Sequence, residues 1–151
     1  MNLETTIRPN ANPVQSEAMI DQTRFLRRAL QADALFSGIS GLMFLAAATP
    51  VANLLGFSDA TAINAVFWLG VGLLGWATLA LWTATRPQVT RGLVFTIIEG
   101  NLLWVIGSIL LLLTGWLPFS TSGKWAVAIV ADVVGLLAIL QYVGWRRLTK
   151  S

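Results

Sequence analysis

Four long apolar runs, each closed by a proline or an arginine, set the plan of the chain. They cover roughly 29–49, 61–85, 92–117 and 125–145, and end at Pro50, Arg86-Pro87, Pro118 and Arg146-Arg147. About 20 apolar residues in a helix cross a bilayer, because each adds about 1.5 Å and the hydrocarbon core is about 30 Å thick. All four runs meet that length. The pattern predicts an all-α polytopic membrane protein, a compact bundle of four transmembrane helices. The membrane domain would occupy 29–147, with short tails over 1–28 and 148–151.

The gaps carry helix punctuation. Ser58 or Asp59 is placed to cap the second helix, Thr90 the third, and Thr121 or Ser122 the fourth. The segment 51–57 is too short to span and reads as a short helix or turn along the interface. Residues 1–13 form a polar tail holding Arg8, Pro9 and Pro13. A helix over 16–30, with Met19, Ile20, Phe25 and Leu26 against the headgroups, would lead into the first span. Ala46-Ala47-Ala48 has the small residues of a signal-peptidase site. A signal peptide, however, has a short basic start and an apolar core of roughly 7–15 residues. Here 28 residues precede a longer block, so the first span is read as retained. Leu55-Gly56-Phe57-Ser58 and Leu117-Pro118-Phe119-Ser120 echo each other too faintly to define a repeat.

Charge then orients the four spans. Arg8, Arg24, Arg27, Arg28, Arg86, Arg91, Arg146, Arg147 and Lys150 are nine of the ten cations, and all fall on one side. Lys124 alone falls on the other. The positive-inside rule makes both termini cytoplasmic. Trp82 and Trp145 would lie at the inner interface, and Trp116 and Trp125 at the outer one.

Composition removes whole classes of function. The chain has 151 residues, 56% hydrophobic and 11% charged, against about 25% charged in a soluble domain. A soluble domain, a disordered chain and a nucleic-acid-binding module are excluded, and the net charge of +3 is a topology signal. With no Cys and no His, the chain lacks disulfides, thiol chemistry, His-ligated haem, His- or Cys-based zinc sites and His-based nucleophile pairs. No cofactor is expected. Gly70-x-Gly72-x-x-Gly75 matches a dinucleotide fingerprint in spacing alone, since it lies inside an apolar helix and not at a strand-to-helix turn.

Candidate chemistry therefore rests on polar residues inside the spans. Three of the seven carboxylates, Asp33, Glu99 and Asp132, fall there. Such an acid costs about 2.5–3.5 kcal/mol at a helix centre, so it tends to face protein, water or a partner. Asp33 is shallow, about 6 Å inside the first span, within range of Arg27 or Arg28. Glu99 and Asp132 are each about 10 Å deep, from the inner and outer faces respectively. By depth, Asp33, Ser37, Thr96, Glu99 and Gln141 form an inner group, and Asn64 and Asp132 an outer one. Asn101 and Ser108 share a face nearer the midplane. Small residues predict the packing faces: Ser37, Ser40 and Gly41; Gly72, Gly75 and Thr78; Gly100 and Gly107; Ala128, Ala131, Gly135 and Ala138. Asp33 and Asp132 lie on these stripes and are expected to face protein. Trp68, Trp76 and Trp104 are read mainly as fillers of gaps or as lipid contacts.

Leu26-Arg27-Arg28-Ala29-Leu30-Gln31-Ala32-Asp33-Ala34 with Ser37-Gly38 resembles the first helix of a family of uncharacterised small bacterial four-helix integral membrane proteins. Asn101-x-x-Trp104 with Ser108, and Gln141-x-x-Gly144-x-Arg146-Arg147, extend the resemblance. It implies the fold and a bacterial inner membrane, assigns no activity, and points to Asp33, Asn101 and Gln141. Small multidrug exporters are similar in having four helices and a membrane carboxylate, but this chain is longer and lacks their acid in the middle of the first helix.

The functional expectation is a non-catalytic accessory, assembly or structural subunit, as a homo-oligomer or within a larger membrane complex. The alternative is a small proton-coupled transporter or channel with Glu99 and Asp132 as the titrating groups. An enzyme acting on lipids or quinones lacks a nucleophile, a phosphate loop and a metal set. The positions singled out are Asp33, Glu99, Asn101, Asp132 and Gln141.

Overall fold

The computed structural model describes the backbone of residues 13–150 and the side chains of residues 20–147. The tail with Arg8, and the side chains of Met19 and Lys150, lie outside the described residues. The described chain is all helical, in the order α1 (Pro13–Ala46), α2 (Ala48–Leu55), α3 (Ala60–Thr85), α4 (Arg91–Thr114) and α5 (Thr121–Lys150). Helices α1, α3, α4 and α5 are long and apolar enough to cross a membrane, which marks an integral membrane protein.

The helix ends follow local chemistry and shift several expected boundaries. Pro13 opens α1, where its fixed φ suits the first helical position and its missing N–H costs nothing. No proline interrupts residues 14–49, so the expected lead-in helix and the first span are one continuous element. It breaks at Ala47, at φ −130° and ψ 36°, and not at Pro50. Pro50 instead sits in the first turn of α2, where no intrahelical N–H bond is needed. Gly56, at φ 105°, closes α2 in the left-handed conformation that glycine adopts without strain. Asp59 caps α3 by accepting from the Ala62 N–H at 2.9 Å. Arg86 is extended before Pro87, ending α3. Gly115, at φ 61°, ends α4 three residues before the expected 117. The cap of α5 is Ser120, whose Oγ accepts from the Gly123 N–H at 2.9 Å, so this helix starts earlier than expected.

Helix α1 packs against α3 and α5, and α5 packs against α4, whereas the backbones of α3 and α4 stay apart and meet through side chains. The α1–α3 crossing is close because Gly41 faces Gly70: a Cβ on either would lie 2.9 Å from the other's carbonyl oxygen. Gly144 gives α5 the same access to Leu26 of α1. The packing face of α3 thus carries Gly70, Ala77, Ala80, Thr83 and Ala84. The expected stripe of Gly72, Gly75 and Thr78 is exposed.

Two clamps tie the ends. At one end the Arg27 guanidinium donates to the carbonyls of Ala84 (2.7 Å), Arg86 (2.5 Å) and Pro87 (2.9 Å), closing the C-terminus of α3. Arg147 stacks near Phe25 at the same end, above a core of Leu26, Leu30, Ala84, Val94, Ile97 and their neighbours. At the other end Ser120 donates its N–H to Leu55 O (2.9 Å) and its hydroxyl to Leu54 O (2.6 Å). Phe57 and Phe119 meet edge-on at 5.6 Å. The two faintly similar segments of the sequence are therefore neighbours in space.

Candidate functional site

The polar centre is built from one residue or two on each of the four long helices. Asp33 projects from α1 and is fully buried. Its Oδ2 accepts from Asn101 Nδ2 of α4 and from Gln141 Nε2 of α5, both at 2.8 Å. Asn101 Nδ2 also donates to Gln141 Oε1 at 3.1 Å, closing a triangle among three helices. Ser37, one turn along α1, directs its hydroxyl to Asp33 Oδ1 at 3.4 Å. Trp76 of α3 donates its indole N–H to Asn101 Oδ1 at 3.2 Å. Every donor into Asp33 is a neutral side chain, and the carboxyl acts throughout as an acceptor.

Local sequence explains why these groups meet. Gly100 precedes Asn101 and presents bare backbone to the Trp76 ring; a Cβ there would overlap the indole. Trp76 thereby fills the gap between α3 and α4, and its one polar atom reaches the amide next to that glycine. Depth alone did not reveal this contact, because an indole filling a gap and an indole donating a bond look the same in sequence.

Three of the five positions singled out from the sequence, Asp33, Asn101 and Gln141, are thus brought together. Asp33 is paired with neither Arg27 nor Arg28: Arg27 is engaged at the end of α3. Asn101 bonds to Asp33, while Ser108, also buried on α4, bonds to Trp104 O at 2.8 Å. Thr96 bonds to Gly92 O within its own helix. Glu99 and Asp132 stand apart from the centre on exposed faces of α4 and α5. Asp132 does not face the other helices of this chain, although Ala131 next to it is buried. Asn64 is exposed as well.

A cavity of about 230 Å³ lies beside the polar centre. Its wall is mostly apolar, with Phe36, Phe44, Leu69, Trp76 and Trp104 among the lining residues, and Ser37, Ser40 and Asn101 as polar points. Two of the tryptophans read as fillers therefore line a hollow. Trp68, Trp116 and Trp125 are exposed, whereas Trp145 packs against the core. The indole nitrogens of Trp104 and Trp145 are buried without a hydrogen-bond partner. Among the described residues no three His, Cys, Asp or Glu side chains cluster as a metal site.

No family model, curated protein or solved structure matches the chain.

Proposed function

We propose that the protein is a non-catalytic accessory, assembly or structural subunit of a larger membrane assembly. In this reading it sits in a bacterial cytoplasmic membrane with both termini on the cytoplasmic side. The outward placement of Glu99 and Asp132 carries the proposal. Glu99 lies eight residues beyond Arg91, about 12 Å along α4. Asp132 lies eleven residues beyond Thr121, about 16 Å along α5. Short acidic side chains at such depths do not reach the headgroups. Against lipid each would cost about 2.5–3.5 kcal/mol on the insertion scale. A neighbouring helix that offers hydrogen-bond donors or a cation removes that cost. The surrounding faces, with Leu103 and Ile106 on α4 and Ile129 and Leu136 on α5, are exposed and apolar, as a helix-packing surface requires. The occupant would be a second copy or a different subunit.

The orientation rests on the positive-inside rule. Arg24, Arg27, Arg28, Arg86, Arg91, Arg146 and Arg147 lie at the end tied by Arg27, and Lys124 lies near the start of α5 at the other. The transporter alternative draws no support from its proposed titrating groups. Neither Glu99 nor Asp132 is among the residues that line the cavity.

The test is extraction from the native membrane in mild detergent, followed by measurement of particle mass. The proposal expects a particle larger than one chain, reduced to the monomer when Glu99→Leu and Asp132→Leu are combined. A monodisperse monomer from the wild type overturns it.

A further inference from the structure

The cavity, lined by residues of α1, α3, α4 and α5, has a composition and depth that the subunit role does not use. Four of its walls are aromatic rings, Phe36, Phe44, Trp76 and Trp104. Leu69 and Gly72 line it and are also exposed on the surface, which places them at its rim. An apolar cavity of about 150 Å³ accepts a benzene ring, so one of about 230 Å³ has room for a substituted ring. It is smaller than the roughly 300–1,000 Å³ of a pocket that encloses a drug-sized molecule. A longer ligand would therefore place its ring inside and its chain in the bilayer.

The polar points narrow the chemistry. Ser40 has no hydrogen-bond partner among the described residues, and its hydroxyl is free to donate. Ser37 and Asn101 also reach the wall, but their donors are committed to Asp33 and Gln141. Ser40 lies seven residues inside the α1 break at Ala47, about 10 Å from that end, and about 20 Å from Arg27. A phospholipid ester sits at the edge of the hydrocarbon, too shallow to supply the acceptor. The acceptor must come from a molecule that dissolves in the core.

We propose that this cavity binds the carbonyl-bearing ring of a neutral, lipid-soluble compound, an isoprenoid quinone headgroup in chemical class. The ring lies among the four aromatic side chains, and one carbonyl accepts from the Ser40 hydroxyl. The chain leaves past Gly72 into lipid. No electron transfer is part of the proposal, and it stands whether or not the protein is a subunit of a larger assembly.

The test is titration of the purified protein in lipid nanodiscs with a decyl-substituted benzoquinone, read by quenching of tryptophan fluorescence. Trp76 and Trp104 lie in the wall and report occupancy. Decylbenzene, with the same chain and no carbonyl, is the competitor. Two variants alter the site. Ser40→Ala removes the donor, and Gly72→Leu fills the rim at a position where a Cβ meets nothing within 4 Å. The expected result is saturable quenching in the wild type, weakened about three- to tenfold by Ser40→Ala and lost in Gly72→Leu. Quenching that is unsaturable and equal in all three proteins overturns the proposal, because it reports partition into lipid alone. So does displacement by decylbenzene at equal concentration with Ser40→Ala unchanged, which makes the cavity a slot for acyl chains.

Discussion

Replacing Asp33 by alanine removes the acceptor on which the polar centre converges. Two bonds of 2.8 Å, from Asn101 and Gln141, lose their oxygen, as does the longer 3.4 Å contact from Ser37. An unsatisfied buried donor costs about 1–3 kcal/mol. Bonds between membrane helices average about 0.6 kcal/mol and reach about 1.7, because the unfolded chain in the membrane also finds partners. Asn101 keeps its bond to Gln141, which favours the lower part of the range for that donor. With about 1–1.5 kcal/mol for each short bond and little for the long one, Asp33→Ala should cost about 2–3 kcal/mol. Reversible unfolding, driven by adding a denaturing detergent to a mild one and followed by tryptophan fluorescence, measures this. Gln141→Leu in the same background removes a donor that the first change orphaned. The pair should therefore cost about 1 kcal/mol less than the sum of the two single changes. Additive effects, or an Asp33→Ala loss below about 0.5 kcal/mol, refute the view that this network holds four helices together.

Gly100→Ala should displace the Trp76 ring, costing about 1–3 kcal/mol and shifting its fluorescence. Gly107→Ala, where a Cβ meets nothing within 4 Å, should stay within about 0.5 kcal/mol of the wild type under the same unfolding assay. Gly56→Ala combines a φ of 105° with a Cβ 2.6 Å from Ser120 N, and should lower the thermal midpoint while leaving helix content intact by circular dichroism. Because the chain has no Cys, single cysteines report topology directly. In intact cells an impermeant maleimide should label Ser122→Cys and spare Gln88→Cys until the membrane is opened.

The sequence was most legible where one physical requirement acts alone. Bilayer thickness fixed the number and length of the long helices, and Asp59 announced its cap. Boundaries moved where a proline was read as a stop: Pro50 is tolerated in a first turn, so its position did not mark the end of α1. The site was half legible. Asp33 and Ser37 stand one turn apart and depth placed Gln141 with them, whereas Asn101 was tied to Asp33 by the family resemblance alone. Which acid turns inward was not legible. Asp132 shares its neighbourhood with the small residues Ala131 and Gly135, yet those pack while Asp132, one position from Ala131, faces outward. A shift of one residue turns a helical side chain by about 100°, and a list of small residues does not resolve that angle. Trp76 was hidden for another reason: its donor role depends on Gly100, on a different helix.

The order in which the helices leave the ribosome sets a timetable for the polar centre. Helix α3 meets α1 soon after it is made, through Gly41 and Gly70. Asn101 and Gln141, however, stand 68 and 108 residues beyond Asp33 in the chain. Until α5 arrives, Asp33 and Asn101 wait in the membrane without their full set of bonds. A nascent or truncated chain that stops before Gln141 therefore displays an unfinished polar surface within the lipid. That surface distinguishes an incomplete chain from a finished one, and it offers membrane chaperones and proteases a physical signal of whether synthesis reached the last helix.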